Sequence, residues 1–173
     1  MNLYYKVMQV VALMLLLMLG ASAVFSAPER EDKNPLGCLD LGYQFTLKTL
    51  DLKPQTEEGN PSLYFMFNQT SNPIQLSQMR SATDTEEMSN NHVIPPQQWA
   101  VLATDHRFVK YACSVADVKA IYGQVVDCAQ SLKVCNFVRV KYGLNNRGNF
   151  WMVSGANKNS ALRAVTLYGV IAR

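Results

Sequence analysis

The sequence predicts a mainly β fold, an antiparallel two-sheet β-sandwich of immunoglobulin-like type with a short C-terminal helix and two disulfides. Three observations carry that expectation. Apolar residues alternate with polar ones in seven or eight short runs separated by polar turns. Four cysteines follow an export-type N-terminus. The apolar spacing becomes helical only near the chain's end, where Leu162, Val165 and Tyr168 recur at helical intervals.

The elements follow in order. Leu39 to Leu50 reads as one long strand, with Leu41, Tyr43, Phe45 and Leu47 on one side and Gly42, Gln44, Thr46 and Lys48 on the other. Asp51 to Pro61 contains Pro54, Gly59 and Asn60 and reads as a loop. Ser62 to Gln69 is apolar on both faces, as in a central or sandwiched strand. Ile74 to Met79 alternates cleanly, and Pro73 before it suits an edge strand. Arg80 to Pro96 is the longest irregular segment, long enough to be either functional or disordered. Trp99–Ala103, Phe108–Cys113 and Ala120–Asp127 read as further strands.

The alternating run from Val138 to Tyr142, the turn from Leu144 to Gly148 and the apolar return from Phe150 to Val153 together predict a hairpin. The helix is expected over Asn157–Tyr168, capped at Asn159 or Ser160 and stopped by Gly169, with Val170-Ile171-Ala172 after it.

Lys6, the apolar run from Val7 to Leu19 and the small residues Ala21-Ser22-Ala23 have the pattern of a secretory signal peptide. Cleavage is expected after Ala23. Ala27 is a poorer site, because Phe25 would sit at its −3 position and Pro28 would follow the cut. The run is short for a membrane span, which needs about 20 apolar residues. No transmembrane segment is expected after cleavage. Leu36-Gly37-Cys38 looks like a lipidation box, but the charged stretch Glu29 to Lys33 separates it from the apolar core. The expected organisation is a signal peptide over 1–23, a flexible segment over 24–37 and a single β domain over 38–173. The location is periplasmic or secreted.

In an oxidising compartment, Cys38, Cys113, Cys128 and Cys135 are expected to form two disulfides. Four cysteines allow three connectivities, and sequence does not choose among them. The nested pattern, Cys113–Cys128 inside Cys38–Cys135, is preferred because it staples a hairpin and ties the first strand to the last sheet. No C-x-x-C pair and no neighbouring His offers zinc spacing, so no metal is expected.

Without Lys6 the chain keeps 15 of its 16 Lys and Arg against 13 Asp and Glu. Val24–Asp105 holds 5 basic and 11 acidic residues, whereas His106–Arg173 holds 10 basic and 2 acidic ones. Such asymmetry suits an anionic contact for the basic half, such as an envelope polymer, unless the fold interleaves the halves and neutralises them. The candidate binding residues are Arg139, Lys141 and Arg147 on the hairpin, with Phe137 among them and Trp151 on the returning strand. The competing reading is a solvated face whose charges guard an edge. No nucleic-acid recognition module is visible.

A catalytic constellation is absent from the sequence, and no enzyme and no cofactor are expected. His92 falls in the irregular segment and is read as solvated. His106 adjoins Asp105, and strand neighbours face opposite ways. The motifs of serine hydrolases, zinc proteases and P-loops are missing. Asp40, Asp51 and Asp127 would make a hydrolase pair only if the fold happened to set two of them at the required separation. Asn68-Gln69-Thr70 matches the N-glycosylation pattern but is read as a surface turn.

The chain resembles the enhanced entry protein EnhB family of intracellular bacterial pathogens. The resemblance is carried by Gly37-Cys38, Pro96 to Asp105, Asp127-Cys128, Val134-Cys135, Arg139 to Tyr142 and Leu144 to Trp151, which cover most of the chain beyond the signal peptide. It implies a non-catalytic envelope or secreted protein linked to host-cell entry and intracellular survival. It also implies a helical-repeat envelope protein of the same locus as partner.

Overall fold

Two strands that are apolar on both faces dictate the architecture, because each face must be covered. They are β4 (Ser62–Asn68) and β7 (Trp99–Thr104), and every residue in both is buried. The computed structural model describes residues 33–46, 48–53, 62–79, 91–104, 108–116, 123–137, 142–144, 150–168 and 170–172. Within these, β4 and β7 lie side by side in a five-stranded sheet whose order is β1 (Cys38–Leu39), β9 (Leu132–Phe137), β4, β7 and β11 (Phe150–Gly155). A second five-stranded sheet runs β2 (Tyr43–Thr46), β3 (Thr49–Leu52), β8 (Val109–Val115), β5 (Ile74–Met79) and β6 (Asn91–Ile94). Every pairing in both sheets is antiparallel. The fold is therefore mainly β, with two antiparallel sheets, a short C-terminal helix and two disulfides.

Alternation sorts the side chains into two cores. Tyr64, Met66, Ala100, Leu102, Leu132 and Val134 meet Leu50, Leu52, Ile74, Leu76, Ile94, Val109 and Tyr111 of the second sheet. On the other face, Leu63, Phe65, Phe67, Trp99, Val101 and Ala103 pack with Ala161 and Val165 of helix α2 (Lys158–Tyr168). The first sheet is thus the middle layer of three. Phe65 meets Trp99 and Phe137 edge-on, and Phe67 lies 5.0 Å from Trp99. Each fully buried side chain of this size contributes roughly 1.5–3 kcal/mol.

Helix α2 starts where Asn157 caps it, its Oδ1 accepting from Ser160 N while Ser160 Oγ accepts from Asn157 N. The cap is therefore two or three residues earlier than expected. Val170–Ala172 is a strand, β12, paired with β10 (Tyr142–Leu144).

The predicted first strand is instead three pieces. β1 ends at Leu39, Gly42 turns the chain at φ 74°, and β2 and β3 form a hairpin across sheets from β1. Asp51, expected in a loop, is a buried β3 residue whose Oδ2 lies 3.6 Å from Lys110 Nζ on its register partner. Strand β5 is not an edge, because β6 covers it; β6 lies inside the segment read as irregular. Pro73 precedes the ladder, and its carbonyl accepts from Ala116 N. In the stretch read as a strand up to Asp127, the described residues 123–127 make one bridge, Ser114 to Val125. They lead into the single turn α1 (Cys128–Ser131), capped by Asp127.

Most of the first arm of the expected hairpin, 138–141, and its turn, 145–149, lie outside the described residues. β10 pairs with β12, while β11 pairs with β7, Trp151 facing Ala103. The apolar edge of β7 takes Phe150–Gly155, and the apolar C-terminal residues supply β10 with a partner.

Candidate functional site

Each sheet has two outer margins, and one side of the sandwich is sealed. There β6 meets β11: His92 Nε2 lies 2.7 Å from Ser154 Oγ, and Ser154 Oγ donates to Val93 O at 3.2 Å. At the other side, β2 of one sheet stands near β9 of the other, and a groove of about 750 Å³ opens between them.

The groove's aromatic wall follows from the alternation of β2. Tyr43 and Phe45 face inward and pack against the core, while Gln44 and Thr46 are exposed. Their rings stand edge-to-face with centroids 5.5 Å apart. Gly42 places β2 there. Its carbonyl accepts from Lys53 N at 2.7 Å and from Tyr64 OH at 2.8 Å. A Cβ at Gly42 would come within 2.8 Å of Asn136 Nδ2. Tyr43 OH donates to Asp40 Oδ1 at 3.3 Å. Burial, then the charge of Asp40 and this bond, push the Tyr43 phenol up to about 12, so it stays protonated at neutral pH.

Two amides complete the polar lining. Gln69 Nε2 donates to Gln130 O at 3.0 Å, and Gln69 N donates to Ser131 O, which fastens α1 to the end of β4. Gln97 Nε2 donates to Thr70 O at 3.2 Å. Gln97 is the only described non-glycine residue with positive φ, at 55°, and such conformations cost roughly 1–3 kcal/mol and persist only where the surroundings impose them. Phe67, Leu132 and Val134 supply apolar lining, and Lys133 contributes a cation beside them.

Asn68 holds this end together. It is fully buried; its Nδ2 donates to the carbonyls of Asn72, Ile94 and Pro95, and its Oδ1 accepts from Thr70 N and Thr70 Oγ1. The glycosylation pattern is therefore a buried anchor, inaccessible in the folded protein.

The four cysteines are paired as the nested pattern anticipates, Cys38–Cys135 and Cys113–Cys128. Of the candidate binding residues, Arg139, Lys141 and Arg147 lie outside the described residues. Trp151 is placed in β11 by its backbone alone. His106 also lies outside. His92 is not solvated: it is half-buried in β6, and burial lowers its pKa below the ordinary 6.5. Asp40, Asp51 and Asp127 have separate partners, bonded to Tyr43, to Lys110 and Thr49, and to the α1 backbone respectively. No group of three or more His, Cys, Asp or Glu among the described residues could hold a metal ion. Nor is any helix among them long and apolar enough to cross a membrane.

Sequence reasoning put Tyr43 and Phe45 on one face but did not mark them as a site. Gln69 and Gln97 carry no local signal; only the pairing of β4 with β7 brings their turns together. Compared with protein-family models, curated proteins and solved structures, the chain matches none.

Proposed function

We propose that this protein is a non-catalytic, exported binding or accessory factor of the bacterial envelope, acting in host-cell entry and intracellular survival. It works in the periplasm or outside the cell after cleavage behind Ala23. Its partner is an envelope protein built of helical repeats. The observation that carries the compartment is the pairing of all four cysteines in two disulfides, a state that an oxidising environment maintains and the cytosol does not. The binding role is supported by a groove whose polar side chains are anchored in place by backbone carbonyls. The biological setting rests on the family resemblance.

Crosslinking of a tagged copy in its native envelope tests the reading. Recovery of one envelope protein in high yield supports it. Recovery of the unlinked protein alone, from cells where it is abundant, overturns the accessory role.

A further inference from the structure

We propose that the groove between β2 and β9 is a saccharide site, which takes an uncharged oligosaccharide against the Tyr43 and Phe45 rings. The proposal rests on the binding reading above and names the ligand class for it.

The chemistry of the lining selects this class. Aromatic rings beside polar planar groups match a pyranose, which has an apolar C–H face and a rim of hydroxyls. The hydrogen-bonding capacity left in the groove is mainly that of acceptors. The amide nitrogens of Gln69 and Gln97 already donate to backbone carbonyls. Among the described residues neither Oε1 atom accepts a hydrogen bond, and Asp40 receives one, from Tyr43. Three acceptor side chains held beside two rings suit a ligand that arrives rich in hydroxyl donors. Asp40 and Lys133 bring one charge of each sign, so the lining does not select a polyanion.

The site is also built in advance, which lowers the ordering cost of binding. Gln69 is tied to α1, and Gln97 is held at positive φ by a turn that Asn68 braces through Pro95 O. Gly42 sets the position of β2 through bonds to Tyr64 and Lys53. The disulfide Cys113–Cys128 fixes the start of α1, and with it Ala129 in the lining.

The test is titration of the disulfide-intact protein, followed by amide NMR shifts, with chitotetraose and cellotetraose as neutral probes. A pectic tetragalacturonate serves as the anionic probe and an extended polyalanine-type peptide as the strand probe. Saturable shifts at Tyr43, Phe45, Gln69 and Gln97 with a neutral saccharide are expected. Tyr43→Ala should weaken that binding at least tenfold, and Asp40→Asn severalfold, with thermal unfolding checked for both. The wild-type shift map needs no variant, so a misfolded Tyr43→Ala protein leaves the test intact. Three outcomes overturn the proposal: no shift with either neutral probe, shifts confined to other surfaces, or binding of the anionic or peptide probe alone. The envelope capture is read separately. Capture that succeeds while the saccharides fail removes only the groove proposal.

Discussion

His92 Nε2 donates to Ser154 Oγ across 2.7 Å, and this bond joins the outer strand of one sheet to the outer strand of the other. The direction follows from the partner, since the Ser154 hydroxyl is committed as donor to Val93 O. The sandwich is therefore fastened on the side away from the groove. Gly155, the next residue, marks the start of the chain's passage from β11 into helix α2.

Burial of this imidazole makes stability depend on pH. Burial lowers the His92 pKa in the folded protein below its ordinary value of roughly 6.5. Between that folded value and 6.5 the unfolded chain binds more protons, so stability rises with pH there. The contribution is fully present above 6.5 and is lost as pH falls through the lowered value. Denaturant midpoints measured from about pH 8 to pH 5 should fall more steeply for the wild type than for His92→Gln. Parallel curves would remove His92 as the cause.

Asn68→Ala should be among the most damaging single changes. It strips donors from three carbonyls and an acceptor from Thr70 in a fully buried turn. An expected loss of about 2–4 kcal/mol follows from leaving such groups unpaired. Asn68→Asp, which sets an acceptor against carbonyl oxygens, should cost at least as much. Urea unfolding measures both. The folded protein should also carry no glycan at Asn68 when expressed through a eukaryotic secretory route, which gel mobility after glycosidase treatment checks.

Two tyrosines of equal burial should respond differently to loss of the hydroxyl. Tyr64 OH donates to Gly42 O, so Tyr64→Phe should cost about 1 kcal/mol. Tyr111 OH is buried with no hydrogen-bond partner among the described residues, so Tyr111→Phe should be neutral or slightly stabilising. Thermal unfolding of the two variants side by side reads the difference.

Gly155→Ala tests how closely helix α2 lies on the middle sheet. A Cβ there would meet Ala161 N and Ser160 Oγ, each at 2.5 Å. Backbone cannot yield as a side chain does, so a loss of about 1–3 kcal/mol is expected. An unchanged midpoint would mean that the helix sits farther from β11.

Much of this fold is legible in period-two alternation. Leu63, Phe65 and Phe67 against Tyr64 and Met66 already imply a strand covered on both sides, and two layers do cover it. The sequence was misleading where local pattern and tertiary demand diverged. Asn91 and His92 hide β6, because polar residues occupy a strand whose inward positions are His92 and Ile94. The described strands on either side of the Leu144–Gly148 turn take partners far away in the chain, β12 for β10 and β7 for β11, which local alternation does not reveal. The groove was the least legible feature. Its amides come from separate turns, and its aromatic wall depends on a Gly42 turn that alternation alone reads as continuous strand.

Non-reducing peptide mapping of the protein isolated from its native source reads the two nested disulfides without any variant. Trypsin places the four cysteines in separate peptides, 34–48, 111–119, 120–133 and 134–139, so each pairing is identified by mass. Linkage of 34–48 to 134–139 and of 111–119 to 120–133, with no free thiol, is the expected result. Their sequence separations of 97 and 15 correspond in the chain-entropy view to about 4.7 and 3 kcal/mol. Stoichiometric free thiols, or any other pairing, would rule out this connectivity.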